Sequence, residues 1–351
     1  MLTIKEKDVW LQLAESPKPV VVYGMGNGAE KIISVLKEYG ITVSDIFASD
    51  EFVRGHSFLG YKVLKYSDIC EKYEDFNIVL AFATHLPDML EKIRKINSDH
   101  TVYAPDVPVA GNGIFTREFF EKNREKFEFV YGKLADAKSR CVFENIINFK
   151  ISGKVEYLYV STEADKTVIY RDILKLTDRE TIVDMGAYDG DTIREFTAYT
   201  NGKYEHIYAL EPDEKNFKKL VRNTQNMQGI SLYNLGAWNK QDILTFSKKA
   251  GRNSKLSASG TPIRVTDIDS LIDDRITLLK MDIEGAELHA IEGCRNIIEK
   301  YTPKLYICAY HRNEDMFSLP IKILEYNPNY KIYFRHSPYI PAWESNFYCT
   351  L

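Results

Sequence analysis

Between Thr181 and Thr192 the chain reads TIVDMGAYDGDT. About 20 residues later, HIYALEP places Glu211 at the end of a second apolar run. An apolar strand that enters a glycine turn, with an acid closing the next strand, is how a parallel sheet holds a nucleoside at its edge. Gly186 and Gly190 supply a tight turn that lets backbone approach a ligand, and Glu211 can accept hydrogen bonds from two vicinal ribose hydroxyls. The turn is acidic at Asp184, Asp189 and Asp191. Carboxylates repel a pyrophosphate and attract an ammonium or a sulfonium, so the sign of the charge favours S-adenosylmethionine over a dinucleotide.

A second reactive constellation begins at LKMDIEGAE, Leu279 to Glu287, where a strand ends and a helix starts. Ligands of open α/β sheets sit outside the carboxyl ends of strands, so Asp282 and Glu284 are expected to face the cofactor, with Gly285 permitting the turn and Glu287 one turn into the helix. The next strand, in PKLYICAYHRNEDMF, delivers His311 to the same edge, and His336 follows KIYFR one strand later, in either a structural or a site role. Methyl transfer from a sulfonium to a hydroxyl is an in-line displacement that needs alignment of oxygen, carbon and sulfur and removal of one proton. Asp282, Glu284 and His311 are the candidates for that work, with His311 or Asp282 as the base. A divalent metal on Asp282, Glu284, Glu287 and His311 is compatible with these residue types, although their spacing does not call for one.

The elements that must carry these residues alternate. Strand-like runs fall at Thr181 to Met185, His206 to Leu210, Ile230 to Asn234, Ile276 to Met281, Lys304 to Cys308, Tyr330 to Arg335 and Asn346 to Cys349, with helical patterns between most of them. Seven runs with a late hairpin predict a class I methyltransferase sheet, a seven-stranded Rossmann-like α/β arrangement, over residues 179–351. Residues 248–260, KKAGRNSKLSASG, read as a flexible loop, either a cover over a substrate or plain surface. Residues 1–108 predict a smaller doubly wound Rossmann-like domain, preceded by a short amphipathic helix in MLTIKEKDVWLQLAES. Residues 109–178 are charged helical stretches, a bridging region that could wall the acceptor pocket. In the N-terminal domain, GMGNGAE with Asp50 further on imitates a dinucleotide fingerprint whose third glycine is displaced. Gly24, Gly26, Gly28 and Asp50 would form its ligand site, against the alternative of a purely structural turn.

With 46 basic and 50 acidic residues the formal net charge is -4, so no global positive field draws the protein to nucleic acid or anionic lipid. No window reaches the roughly 18 apolar residues of a membrane span, and the expected location is the cytoplasm. The five cysteines, Cys70, Cys141, Cys294, Cys308 and Cys349, are odd in number and scattered, as suits reduced thiols. The expected partners are a small-molecule or glycan acceptor, with no nucleic acid and no membrane; a homo-oligomer is compatible with the sequence.

Four blocks in order, IVDMGAYDGDT, YALEPDEKNFKKL, LKMDIEGAELHAIEG and YHRNEDMFSLPIKILEYNPNYKIYFRH, resemble the FkbM family of S-adenosylmethionine-dependent methyltransferases. The resemblance covers residues 150–351. It implies O-methylation, commonly of sugar hydroxyls in bacterial surface glycans or natural products. It also implies a cofactor set of Asp184, Gly186, Ala187, Asp189, Gly190, Thr192, Glu211, Pro212, Gly236, Ala237 and Asp282, in which Asp184, Gly186 and Gly190 meet the methionine end and Glu211 the ribose. By the same resemblance, the acids from Asp282 to Glu287 lie beside the transferred methyl group. The N-terminal domain is similar to Rossmann-like modules of sugar-modifying enzymes. Three alternatives stand beside this reading: an NAD-dependent oxidoreductase or nucleotide-binding module using the N-terminal glycine loop, a non-catalytic scaffold, and methylation of an amine.

Overall fold

A computed structural model describes residues 2–50, 53, 55, 57–111, 113–248, 254–256 and 261–351. The N-terminal segment is helical only over α1 (Val9–Glu15); Leu2 and Ile4 precede it as buried non-helical chain, so the predicted helix is shorter than its pattern. The first sheet is built from β1 (Val20–Tyr23), β2 (Val43–Phe47), β3 (Ser57–Phe58), β4 (Tyr61–Leu64), β5 (Asn77–Leu80) and β6 (Val102–Tyr103), in the order β3-β4-β2-β1-β5-β6. All its pairings are parallel except the β3–β4 hairpin. Strand side chains alternate between faces. Val20 and Val22 accordingly pack with Ile32 and Leu36 of α2 (Asn27–Glu38), while Val21 and Tyr23 pack with Ile69 of α3 (Tyr66–Lys72) and Ile93 and Ile96 of α4 (Pro87–Asp99). Helices therefore cover both faces, which is why β1 is apolar throughout.

The charged helical stretches become α5 (Arg117–Lys122), α6 (Arg124–Lys133), α7 (Ala137–Ser152) and α8 (Glu156–Ser161), followed by a π-helix at Val168–Ile173. Asp136 caps α7 by accepting from the Ser139 amide at 2.6 Å, and Gly153 ends it in the left-handed region. The buried side of α7 does not bridge open space. It lies on the second sheet, where Phe143 packs against Phe334 and Phe347 and the Arg335 guanidinium meets Asp136 at 2.6 Å.

That second sheet comprises β7 (Thr181–Met185), β8 (His206–Leu210), β9 (Ile230–Tyr233), β14 (Leu278–Met281), β15 (Lys304–Cys308), β16 (Lys331–His336) and β17 (Ser345–Thr350), ordered β16-β17-β15-β14-β7-β8-β9. Only β17 runs antiparallel to its neighbours. In order of occurrence within this sheet, the strands run 3-2-1-4-5-7-6, the class I methyltransferase arrangement. One face is covered by α9 (Asp191–Tyr199), α10 (Glu214–Thr224) and the π-helix, and the other by α12 (Glu287–Glu292), α13 (Arg295–Tyr301), α14 (Asp315–Tyr326) and α7. The predicted strands match to within a few residues. The sequence reading missed a small sheet formed by β10 (Gly236–Ala237), β11 (Asp242–Lys248), β12 (Ser254–Leu256) and β13 (Thr261–Thr266), which precedes the short helix α11 (Ile268–Leu271). Of the expected loop at 248–260, Lys248 and Ser254–Leu256 are strand, paired between β11 and β12, and the rest lies outside the described residues.

Candidate active site

The turn after β7 is fixed by steric necessity. Gly186 has φ +82°, and a Cβ there would stand 1.9 Å from the carbonyl oxygen of Asp282, so only glycine lets the β7 and β14 turns close on one another. The Asp282 amide donates to the Met185 carbonyl at 3.1 Å, joining the two turns. Ala187 is buried and Gly190, at φ +88°, starts α9.

Asp184 does not lie open to a ligand. It is fully buried, with Oδ1 3.0 Å from Lys280 Nζ, the residue opposite it in the β7–β14 register, and Lys280 also donates to the Gly186 carbonyl at 2.9 Å. Burial pushes the Asp184 carboxyl up despite that lysine; burial would lower the Lys280 ammonium, but Asp184 and Asp282 raise it. The residue expected to meet the methionine end is thus held inside the sheet, paired with Lys280 behind the turn. Asp189 pairs with Arg194 at 3.1 Å, and Asp191 accepts from the Thr192 amide at 2.8 Å. The acidity of this turn is therefore largely answered within the protein. The field that would attract a cation comes from the neighbouring turn instead.

Glu211 closes β8 as anticipated. Its two oxygens accept from the backbone amides of Tyr188 at 2.9 Å and Asp213 at 2.8 Å, which fixes the carboxylate between the first and second turns. Burial pushes its pKa up to about 7, against the lowering by those amides. Asn234 ties the carbonyls of Glu211 and Pro212 to the chain that leads into Gly236 and Ala237, both buried; Gly236 sits so that a Cβ would be 3.7 Å from the Pro212 ring.

The acids after β14 and the histidine after β15 come together. His311 is wholly buried, with Nδ1 2.9 Å from Glu287 Oε1 and Nε2 3.4 Å from Asp282 Oδ1 and 3.7 Å from Glu284 Oε2. Glu287 Oε1 also accepts from the Ile283 amide at 2.9 Å, and the Tyr310 hydroxyl donates to Asp282 at 3.2 Å. Glu284 and Gly285 both have positive φ, 56° and 96°, which turns the chain sharply between Asp282 and Glu287. Burial would lower the His311 pKa, but Glu287, Asp282 and Glu284 outweigh it and push it up to about 10. For Asp282, burial acts upward and is outweighed by Lys280, His311 and Tyr310, which hold it below the usual range. His336 is not part of this cluster. Its ring nitrogens meet Ser345 at 3.0 Å and the Tyr339 carbonyl at 3.1 Å, and burial lowers its pKa to about 4, as suits a neutral structural histidine.

The sequence reading missed Lys280, Tyr310, Asp315 and Glu344. Asp315 is buried beside His311 and accepts from the Arg312 amide at 2.8 Å; Glu344, at φ +62°, feels the Asp282 charge. A signal for Lys280 existed, namely one charge inside each of two adjacent apolar strands, TIVDM and LLKM. Glu344 had none, because the hairpin that brings it close joins distant strands.

The N-terminal glycines have packing tasks. A Cβ on Gly28 would lie 2.5 Å from the Ala81 carbonyl and one on Gly24 2.7 Å from the Phe82 ring, while Gly26 is open and Asp50 is exposed at the end of β2. The carboxyl edge of this sheet faces the second one. Thr84 and Ile340 exchange backbone hydrogen bonds of 2.8 and 3.0 Å, and the Ala110 amide donates to the His311 carbonyl at 2.8 Å. Ala110 and Arg312 crowd Gly285, so the chain leaving the first sheet forms one wall of the acidic site.

Residues 184–332 match the family model described as the Methyltransferase FkbM domain. The crystal structure of Methyltransferase FkbM from Methylobacillus flagellatus KT is similar with a TM-score of 0.73 and 24% identity, covering 99% of this chain and 94% of that one. An rRNA methylase from Streptococcus thermophilus covers 50% of this chain and 88% of its own at 14% identity and a TM-score of 0.33. Aeropyrum pernix fibrillarin in complex with natively bound S-adenosyl-L-methionine covers 52% and 73% at 11% identity and a TM-score of 0.34. No curated protein matches the chain. The likeness in fold extends over both sheets, and residues 184–332 carry the match to the FkbM methyltransferase domain.

Proposed function

We propose that this methyltransferase uses S-adenosylmethionine to methylate a hydroxyl of a sugar, sugar nucleotide or glycan precursor in the cytoplasm. The observation that carries the reading is the meeting, at one sheet edge, of the Gly186 turn, the Glu211 carboxylate and the Asp282–Glu284–Glu287–His311 cluster. The residues fit the donor. Glu211, fixed by two amides, is left with lone pairs for ribose hydroxyls, and the acids beyond β14 favour a sulfonium. S-Adenosylmethionine supplies an electrophilic methyl group. As the acceptor oxygen bonds to the methyl carbon, the carbon–sulfur bond breaks, the sulfonium leaves as a neutral thioether, and the hydroxyl proton must go to the protein.

Asp282 is the group to take that proton. His311 is held as an imidazolium between its carboxylates, so it orients Asp282 and is not free to accept. A neutral amine can attack before it loses a proton, whereas a hydroxyl needs a base as it attacks, so a carboxylate placed to take a proton favours a hydroxyl acceptor, and the cleft between the two sheet edges gives the acceptor a wall at Ala110.

The test is a calorimetric titration of the purified chain with S-adenosylhomocysteine, followed by radiolabelled methyl transfer to a panel of sugars, sugar nucleotides and amines. Binding at one site with label on a sugar oxygen supports the reading; label on amines alone, or no binding of S-adenosylhomocysteine, overturns it. Asp282→Asn should retain donor binding and lower turnover by roughly 10² to 10⁴.

A further inference from the structure

The buried pair at the base of the acidic site has a form that proton transfer alone does not require. His311 is 1% exposed and Glu287 0%; Glu287 Oε1 stands 2.9 Å from Nδ1 as an ion-pair partner, which leaves Nε2 on the side of Asp282 and Glu284. At Nε2 stand two carboxylates that are open to the cleft, Asp282 at 33% and Glu284 at 36% exposure. A histidine whose other nitrogen is fixed by a buried carboxylate is the recurring support of a metal ligand.

The spacing agrees. Donors bound about 2.1 Å from one ion lie roughly 3.0 to 3.4 Å apart, depending on octahedral or tetrahedral angles. His311 Nε2 is 3.4 Å from Asp282 and 3.7 Å from Glu284, a few tenths from closure. Charge points the same way. Three carboxylates converge on a single imidazole, Asp282, Glu287 and His311 offer ligand atoms within 4.8 Å of one another, and Glu287 Oε2 is buried with no hydrogen-bond partner among the described residues, so the pocket holds more negative charge than its own groups answer. Lys280 pairs with Asp184 and also acts on Asp282, so Lys280 and His311 are left to face Asp184, Asp282, Glu284 and Glu287.

We propose that His311 Nε2, on releasing its proton to solvent, binds one divalent cation of the manganese or magnesium type together with Asp282 and Glu284, with Glu287 as the positioning residue behind the histidine. Two oxygens and one nitrogen leave coordination positions for water and for the acceptor. Resting on the methyl-transfer reading, the ion would polarise the acceptor hydroxyl while the second oxygen of Asp282 remains available for its proton.

The experiment is a titration of the chelator-stripped full chain with Mn²⁺ alone, followed by the loss of the free-ion signal in electron paramagnetic resonance. One ion per chain is expected, displaced by excess Mg²⁺, with binding weakened at least tenfold in Asp282→Asn and His311→Ala and about 10- to 100-fold in Glu287→Gln. Glu284→Gln, at a one-third-exposed position, tests the same site with less risk to folding, and circular dichroism confirms each variant's fold. No loss of free Mn²⁺ signal with the wild-type chain, or equal binding in the folded variants, overturns the proposal. Neither donor nor acceptor is present in the titration, so its failure leaves the methyl-transfer reading standing.

Discussion

On the proposed reading two residues hold the donor, and each gives a measurable outcome. Gly186→Ala forces a side chain into the Asp282 carbonyl at a backbone angle that L-residues rarely adopt. It should cost at least about 3 kcal/mol in denaturant unfolding and, if the chain still folds, abolish binding of S-adenosylhomocysteine. Glu211 acts through its charge. Burial holds its folded pKa at about 7, above the ordinary 4.5, so the ionised form is the disfavoured one in the fold, and this group's contribution to stability declines as pH rises from about 4.5 to about 7. Ribose hydroxyls donate best to the ionised carboxylate, so donor affinity runs the opposite way and increases through pH 7. Calorimetry should find S-adenosylhomocysteine binding about tenfold tighter at pH 8 than at pH 6, and Glu211→Gln should flatten that dependence while weakening binding by roughly 1 to 3 kcal/mol. A pH-independent wild-type affinity would remove Glu211 from the ribose site.

At the scale of elements, α7 shows what was legible and what was not. Its apolar residues, with an aspartate before the first turn and a glycine after the last, read as a helix from sequence. Its destination did not, because the pattern identifies a buried face without naming the partner. That partner is β16, nearly 200 residues later, where Phe334 donates from its amide to Ser139 Oγ at 3.0 Å and Arg335 reaches Asp136. Asp136→Ala removes a helix cap and leaves the Arg335 guanidinium buried without its carboxylate; the expected loss is about 2 to 3 kcal/mol, read as a lowered denaturation midpoint with unchanged slope. The strands of the second sheet were legible because apolar runs ended at glycine turns or charged caps. The β11–β13 sheet was missed for the converse reason: LTF and IRV are short, and polar residues break them up. The site divides in the same way. Glu211, Asp282, Glu284 and His311 lie at strand ends, where sequence spacing sets position, whereas Lys280 against Asp184 is a cross-strand pair and Glu344 arrives by a hairpin.

For the whole molecule, the central fact is that one hydrophobic cluster runs from the first sheet, through the phenylalanines of α5 to α7, into the second. The two carboxyl edges are thereby held facing each other, and the chain that joins them passes over the acidic site at Ala110. An ion pair secures this passage. Lys150 on α7 and Asp106 just after β6 pair directly, each side chain 2% exposed, with the ammonium 5.3 Å from the Phe115 ring centroid. Such a pair adds little net stability over apolar packing of the same volume, but removing one partner strands a buried charge. Asp106→Ala should therefore destabilise the protein by about 3 to 5 kcal/mol, while Asp106→Leu combined with Lys150→Met should recover most of that loss. The comparison separates stability from site geometry. If the ion pair sets the path of residues 106–111, the double variant, though stable, should bind S-adenosylhomocysteine normally and show a raised KM for the methyl acceptor, because on the proposed reading the wall at Ala110 lies on the acceptor side of the cleft. An unchanged acceptor KM in that variant would mean that the hydrogen bond from Ala110 to His311 and the Thr84–Ile340 bridge are enough to place the wall, and that the buried pair serves folding alone.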